Sequence, residues 1–382
     1  MTLVVLNLGS TSARFTWFEA RTDGWHLQRQ RTDALPTQPK YRNAAILELV
    51  DVLPREGTIL YRIVHGDSRR SAELATHELL DDLENLTPLA PLHLPAVLDT
   101  LRRALQNRPG CRHVVVYDTL PQARLPEPLR HFPLPESIRP PWPLRRMGFH
   151  GFAHQSLRNQ SSIPPDPQRR LITLQLGGGV SLAAWRGDQM VDTSMGVTAL
   201  EGPMMGTRSG DLDPGLLLAL ISEGVVSATN LGHVLYQDSG LLGMSGGRND
   251  RPDRLDLSGD PRAQRALEAY HHRLHRYLGG FLGVLGGCDE LVIGGGAGEQ
   301  QPTLREALLA PFAELGLRLD SQRNQEASPP EQASNIEAKD SRIRIRVARV
   351  DEEQEMLAVC AAEPGLLPDL PKEKVIHDRV HD

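Results

Sequence analysis

Lysine is almost missing from this 382-residue chain: it stands only at Lys40, Lys339, Lys372 and Lys374, so all but four of the 42 basic residues are arginine. None of the four follows a glycine. A phosphate-binding P-loop, which needs Gly-Lys-Ser/Thr, is therefore excluded, and the Val-Ala-Ile-Lys strand of protein kinases is absent as well. Cysteine is equally scarce. Cys111, Cys288 and Cys360 are too few, too scattered and odd in number for a disulfide framework, which favours a reducing compartment, the cytoplasm. No apolar run approaches the roughly 20 residues of a membrane span, and the start MTLVVLNLGS has no basic targeting region. Nor is there an excess of positive charge. With 48 acidic against 42 basic residues and a net charge of -6, neither nucleic acid nor a membrane is expected as a partner, although local positive charge could still hold a small anion.

What is present is ordinary for a soluble globular protein: 40% hydrophobic and 24% charged residues, in a length that predicts two or three domains. Residues 2–8 form a nearly continuous apolar run, and after a Gly-Ser turn Ala13, Phe15 and Trp17 alternate with Ser12, Arg14 and Thr16. That pattern predicts a buried strand, a tight turn and a strand with one polar face. A second copy of the unit follows: 171–176, then Gly177, Gly178 and Gly179, then 180–185, with 186–188 turning into 190–193. Two strand-turn-strand copies suggest a duplicated fold. Apolar residues at helical spacing predict helices over 44–52, 94–106 and 263–285. Residues 291–293 predict another buried strand running into a glycine cluster at 294–298. The proline-rich stretch 124–143 reads as an irregular connection, 159–169 and 320–340 as polar loops, and 364–382 as a flexible tail.

The first turn is a plausible phosphate cradle. Asn7, Ser10, Ser12 and Arg14 place donors and one fixed charge around a glycine, and Ser12 and Arg14, two apart on a strand, point the same way. The block 192–214 packs Arg208, several hydroxyls and four acidic residues into a run with few core formers. Together with Arg62-Ile-Val-His-Gly66, Ala90-Pro-Leu-His-Leu-Pro95, Met147-Gly-Phe-His-Gly151 and Ser239-Gly-Leu-Leu-Gly-Met-Ser-Gly246, this block resembles the acetate kinase family of short-chain carboxylate kinases. The resemblance runs over almost the whole chain. It implies an α/β fold of two duplicated ribonuclease H-like domains, that of the acetate and sugar kinase, Hsp70 and actin superfamily, around a nucleotide cleft. The N-terminal domain would cover 1–120, completed by a segment from about 358, and a nucleotide-binding domain would cover 121–357.

The resemblance also implies roles. Arg62 and Arg208 would hold substrate and phosphoryl oxygens, His150 would contact the phosphoryl group in flight, and Asp118 would belong to the acyl site. Val64, Leu92, Phe149 and Ala199 would line the acyl pocket. Asn7, Ser10, Ser12, Arg14, Gly177, Gly178, Gly179, Gly295, Gly296 and Gly298 would contact phosphate or nucleotide, and Glu353 with Asn7 would serve Mg²⁺. Glu352 and Glu355 lie within a one-residue slip or two of Glu353. The implied reaction is reversible phosphoryl transfer from ATP to acetate by a homodimer. Two arginines, a histidine and Mg²⁺ suit that chemistry, which asks mainly for positioning and charge neutralisation, and an already ionised carboxylate acceptor needs no general base.

Departures from the family pattern gather on the nucleotide side. The family's His-Leu-Gly-Asn-Gly reads Gln175-Leu-Gly-Gly-Gly179, its Gly-Gly-Ile-Gly-Glu-Asn reads Gly295-Gly-Ala-Gly-Glu-Gln300, and an arginine falls on Pro252, where Arg251 or Arg254 could substitute. At the acyl site a family proline is Ala199, which widens the pocket and keeps propionate open as a substrate. Pyrophosphate as donor stays open too, as does a non-catalytic nucleotide-binding role. The glycine cluster 294–298 does not have dinucleotide spacing, and His271, His272 and His275 on one predicted helix read as a solvated face. His65 and His93 read equally as structural hydrogen-bonders or as catalysts.

Overall fold

The structure, a computed structural model, describes residues 2–9, 12–36, 45, 48–256, 259–327 and 332–371. The chain divides into two compact units: Met1–Asp118 with Glu353–Asp382, and Thr119–Glu352.

Unit 1 is built on six strands, β1 (Thr2–Leu8), β2 (Ser12–Arg21), β3 (Gly24–Ala34), β4 (Gly57–Ile63), β5 (Glu73–Leu74) and β6 (Cys111–Tyr117), in the order β3-β2-β1-β4-β6-β5. β1 is antiparallel to β2 and parallel to β4, and β4 is parallel to β6. Central placement explains why Leu3 through Leu6 of β1 are fully buried on both faces and why the strand reads as an unbroken apolar run. In β2 the polar face is shorter than predicted, because Thr16 and Phe18 are buried along with Phe15 and Trp17. The edge strand β3 is mostly exposed, and Arg29 lies over the Trp17 ring at 4.0 Å. The helices His77–Glu84 and Leu94–Asn107 contribute the buried Leu80, Leu83, Leu98 and Leu101 to the core of this unit. Of the helix predicted over 44–52, positions 45 and 48–52 are described and are helical.

Unit 2 repeats the plan with β7 (Arg170–Leu176), β8 (Val180–Arg186), β9 (Gln189–Thr193), β10 (Glu290–Gly294), β11 (Ser334–Asn335) and β12 (Arg344–Val347), in the order β9-β8-β7-β10-β12-β11. The pairing senses match position by position: antiparallel twice, parallel twice, then an antiparallel edge. The duplication read from two hairpins thus extends to both whole sheets. Trp185, Leu171, Val292 and Leu157 belong to one core cluster, with Leu157 supplied by the helix Gly151–Asn159. The long helix Pro261–Leu285 starts at Asp260, whose carboxylate accepts from the Arg262 amide, and stops at Gly286 in the left-handed region, φ 68°.

Three loop expectations need correction. Residues 320–340 contain a helix, Ser321–Glu326, capped by the Asp320 side chain, as well as β11. The proline-rich connection holds a short helix, Glu127–Arg130, with Pro near its start, where a missing N–H costs nothing. The stretch after Glu363 is anchored at its beginning: Leu366 is buried and Arg112 Nη1 donates to the Gly365 carbonyl at 2.7 Å. Residues 372–382 of the expected tail lie outside the described residues. No helix among the described residues is long and apolar enough to cross a membrane.

Candidate active site

In unit 1 the β1–β2 register sets Asn7 opposite Arg14, and the parallel pairing of β1, β4 and β6 brings Arg62 and Asp118 to the same ends of their strands. Ion pairs and hydrogen bonds then link five polar side chains. Arg62 Nη2 donates to Asp118 Oδ2 at 2.7 Å and Arg62 Nη1 donates to Asn7 Oδ1 at 3.2 Å. Asn7 Nδ2 donates to Glu353 Oε1 at 2.9 Å, and Arg14 Nη1 lies 3.4 Å from both carboxylate oxygens of Glu353. Asp118 is fully buried, and Glu353 is buried whereas Glu352 and Glu355 are only partly so. A buried carboxylate needs a charged or hydrogen-bonding partner, and here each has one. Gly9 closes the turn, its N–H donating to Ser12 O at 2.8 Å, while Ser10 lies outside the described residues. Val64, two residues after Arg62, is buried, and Leu92 is half-buried. His65 is buried, with Nδ1 accepting from the Asp67 amide at 3.2 Å.

In unit 2 His150 takes a left-handed conformation, φ 54° and ψ 34°, unusual for a residue with a Cβ and costing on the order of 1 kcal/mol. The preceding turn is held by Met147 and Gly148, whose N–H groups both donate to Gly196 O at 3.0 Å, which ties it to the 192–214 block. Gly148, at φ 63°, has no room for a side chain: a Cβ would stand 2.7 Å from Gln122 Cγ. Gln122 Nε2 in turn donates to the carbonyl of the buried Phe149 at 3.0 Å.

Gly179 marks where the pieces approach. A Cβ there would lie 3.0 Å from His150 Nε2 and 3.5 Å from Arg208 Nη1, so the imidazole and the guanidinium both border the β7–β8 turn at a position where only a glycine fits. Arg208 is 8% exposed, donates to the Ala199 carbonyl at 3.3 Å and approaches Met205 Sδ at 3.8 Å. Among the described residues no carboxylate pairs with it, and burial pushes its pKa below the usual arginine value. An unneutralised buried cation beside backbone N–H groups is an anion receptor. In the same block, Arg146 Nη2 binds Glu201 Oε1 at 2.5 Å; burial still raises the Glu201 carboxyl, and burial raises Asp192 likewise.

The β7–β8 glycine turn and the glycine cluster after β10, which passes at Gly295 into the short helix Gly296–Gln300, are neighbours. Gly294 pairs with Gln175 across β10 and β7, and Gly295, at φ 80°, would drive a Cβ to 2.7 Å from the Leu176 carbonyl and 2.8 Å from the Gln175 amide. Gly178 and Gly296 face open space, and Gly298 packs on Ile293 and Leu176. Arg305, fully buried, donates to the carbonyls of Gly298 and Glu299 at 2.7 and 3.0 Å, near the C-terminal end of the helix Gly296–Gln300. Pro252 opens a short helix, Pro252–Asp256, and exposed Arg251 is ion-paired with Asp253 at 2.9 Å. The helix carrying His271, His272 and His275 departs from a solvated face, since His275 is half-buried with its ring edge on Phe312 and Nε2 facing Ala307 O at 3.2 Å.

Residue types alone do not single out His154, Ser181, Thr173 and Trp185, which stand behind His150. His154 Nε2 and His150 Nδ1 share the Ser181 hydroxyl at 2.8 and 2.9 Å, and His154 Nδ1 meets Thr173 Oγ1 at 2.9 Å. The signal in the sequence is a lone hydroxyl in each of two largely apolar strands, Thr173 in β7 and Ser181 in β8.

Comparisons with known proteins point to one family. The acetokinase family profile matches residues 55–358. An acetate kinase of Corynebacterium jeikeium is 35% identical over 322 residues, 82% of this chain and 79% of that protein. Among solved structures, Porphyromonas gingivalis acetate kinase is 28% identical with a TM-score of 0.76, over 94% of this chain and 98% of that one. A propionate kinase from Francisella tularensis is 26% identical with a TM-score of 0.78 over the same shares, 94% and 98%. The expected duplicated α/β fold of two six-stranded units is therefore that of the short-chain carboxylate kinases.

Proposed function

This chain belongs to the acetokinase family, and we propose that it catalyses reversible phosphoryl transfer from ATP to the carboxylate of acetate, giving acetyl phosphate and ADP. The observation that carries the proposal is the meeting of His150, Arg208 and the triple-glycine turn, with Arg208 buried and unneutralised among the described residues. Such a cation is aligned in advance with oxygens that gain charge in the transition state and needs no reorganisation during reaction. His150 would donate to a second phosphoryl oxygen, and the backbone N–H groups of Gly177 to Gly179 to the donor phosphates. Arg62 would hold the acetate carboxylate, and Asp118, fixed 2.7 Å from its guanidinium, would act as the positioning residue for it. Acetate is ionised at neutral pH, so no residue has to remove a proton from it. The glycine cluster at Gly295, Gly296 and Gly298, at the start of the helix Gly296–Gln300 whose end Arg305 holds, would accept the nucleotide.

Glu353, with Asn7 beside it, would hold Mg²⁺ in this proposal. Glu353 offers a buried carboxylate, whereas Asn7 turns its amide nitrogen to Glu353 and its oxygen to Arg62, so Mg²⁺ would take the carboxylate together with water and phosphate oxygens. When bound, the ion would offset phosphate charge as the nucleotide enters. Ser12 and Arg14 would complete that end of the site.

A homodimer forms part of the same proposal. None of the residues of the helix Pro214–Ser222, sequence PGLLLALIS, is buried, and Leu218 and Val225 are each 70% exposed. A patch of that kind fits a second copy of this chain better than water. Leu218→Glu should convert a dimer to monomers by light scattering, and a wild-type monomer at micromolar concentration would remove this element of the proposal. We assign the cytoplasm because Cys111, Cys288 and Cys360 are free thiols, and burial pushes Cys288 up to about 12. Hydroxamate detection of acyl phosphate, scanning short carboxylates against ATP, GTP and pyrophosphate, tests the reaction. No acyl phosphate from acetate and ATP would defeat it.

A further inference from the structure

Behind His150 runs a single file of hydrogen bonds. Trp185 Nε1 donates to Thr173 Oγ1 at 2.9 Å; Thr173 Oγ1 meets His154 Nδ1 at 2.9 Å; His154 Nε2 meets Ser181 Oγ at 2.8 Å; and Ser181 Oγ meets His150 Nδ1 at 2.9 Å. The backbone places every member. Thr173 lies opposite Ala183 in the β7–β8 register, so Ser181 and Trp185, two residues to either side, share its face. His150 and His154, four apart at the start of the helix Gly151–Asn159, present one face to those strands. His154, Thr173 and Ser181 are fully buried, so no solvent completes their bonding.

Such a file can be polarised in either direction, and one group decides. The indole N–H only donates, so Thr173 must accept from Trp185. Its own hydrogen then has one acceptor among the described residues, His154 Nδ1. If His154 donated from Nδ1 instead, the Thr173 oxygen would sit between two donors and its hydrogen would be buried without an acceptor, a cost of about 1 to 3 kcal/mol in general. Burial holds the His154 imidazole down to about 3, with His150 acting in the same direction, so His154 is neutral at working pH and carries one proton. With Nδ1 accepting, that proton is on Nε2 and is donated to Ser181. Ser181 therefore donates to His150 Nδ1.

We infer that Trp185, through Thr173, His154 and Ser181, fixes the tautomer of His150 so that its Nε2 bears the hydrogen on the side of Gly179 and Arg208. Trp185, Thr173, His154 and Ser181 are positioning residues in this scheme. They present His150 as a ready donor to the phosphoryl group without needing it to be charged. The inference rests on the proposed phosphoryl transfer for its purpose but not for its geometry.

The test is long-range ¹H–¹⁵N spectroscopy of the full-length, ¹⁵N-histidine-labelled protein at neutral pH, paired with the acetyl phosphate assay. His150 and His154 should both show an unprotonated Nδ1 and a protonated Nε2. A protonated Nδ1 on His150 overturns the inference without touching the function. The predicted tautomer in a protein that makes no acyl phosphate supports the relay and defeats the function. In Trp185→Phe the two tautomers should redistribute and kcat fall about tenfold at unchanged acetate KM, roughly one hydrogen bond's worth. Ser181→Thr, which keeps the hydroxyl, should retain the wild-type tautomer where Ser181→Ala does not. A Trp185→Phe enzyme with wild-type tautomers and kcat would also overturn the relay.

Discussion

Arg208→Leu tests whether the Arg208 charge serves catalysis, as proposed, or structure. The guanidinium is 8% exposed, it meets the Ala199 carbonyl at 3.3 Å and Met205 Sδ at 3.8 Å, and no carboxylate pairs with it among the described residues. Leucine would therefore strand no buried anion. It forfeits one neutral acceptor contact, worth about 1 kcal/mol, and removes the desolvation cost of a buried cation, so folding stability should change by about 1 kcal/mol or less in either direction. Turnover should change far more. A prealigned charged donor to a phosphoryl oxygen contributes about 3 to 4 kcal/mol in the transition state, a loss of about 10² to 10³ in kcat. Acetyl phosphate would be trapped as hydroxamate and the thermal midpoint followed on the same preparations. At about 2 to 4 °C per kcal/mol for a unit of this size, the midpoint should stay within a few degrees. In Arg208→Ala, added guanidinium ion should restore part of the rate. Turnover within tenfold of wild type, or a midpoint lowered by about 10 °C or more, would refute this account of Arg208.

Arg62 should behave in the opposite way: Arg62→Leu leaves Asp118 buried without its guanidinium and should cost about 3 to 5 kcal/mol in denaturant unfolding, with Arg62→Leu/Asp118→Leu recovering part of it but no activity. His154 makes stability depend on pH. Its folded pKa of about 3 lies below the ordinary 6.5, so the unfolded chain binds the extra proton between those values and stability falls as pH drops below 6.5, by up to about 1.4 kcal/mol per unit. His154→Gln should flatten that slope in urea titrations at pH 7, 6 and 5; an unchanged slope would show that His154 is not the source. If Ala199 lines the acyl site where the family has a proline, propionate should compete well with acetate in a coupled assay, since one methylene is worth only about 1 to 3 kcal/mol. A propionate kcat/KM more than about 200-fold below that of acetate would count against the wider site.

Gly177 to Gly179 and the 294–298 cluster signal strand ends in the bare residue order, because consecutive glycines make poor strand interior, and both do end buried strands, the second passing directly into the helix Gly296–Gln300. The apolar runs of β1 and β7 signal central strands for the same reason that they are buried on both faces. The prolines just after Glu363 do not reveal that the start of this stretch is anchored, since local composition does not report that Arg112, some 250 residues earlier, holds the Gly365 carbonyl. The helix Ser321–Glu326 is hidden by its polar composition, although Asp320 supplies a capping carboxylate.

Residue order by itself determined the two strand-turn-strand hairpins and the lack of any P-loop lysine, because each of these depends on neighbours in the chain. Only the folded molecule decided which charges are satisfied: Arg62 against Asp118, Arg208 against nothing anionic among the described residues, Glu353 and not Glu352 buried against Asn7. Those outcomes depend on burial and on register between strands far apart in sequence. An arginine in the chain has the same charge everywhere, and what it costs or offers is set by the dielectric and the partners that packing places around it.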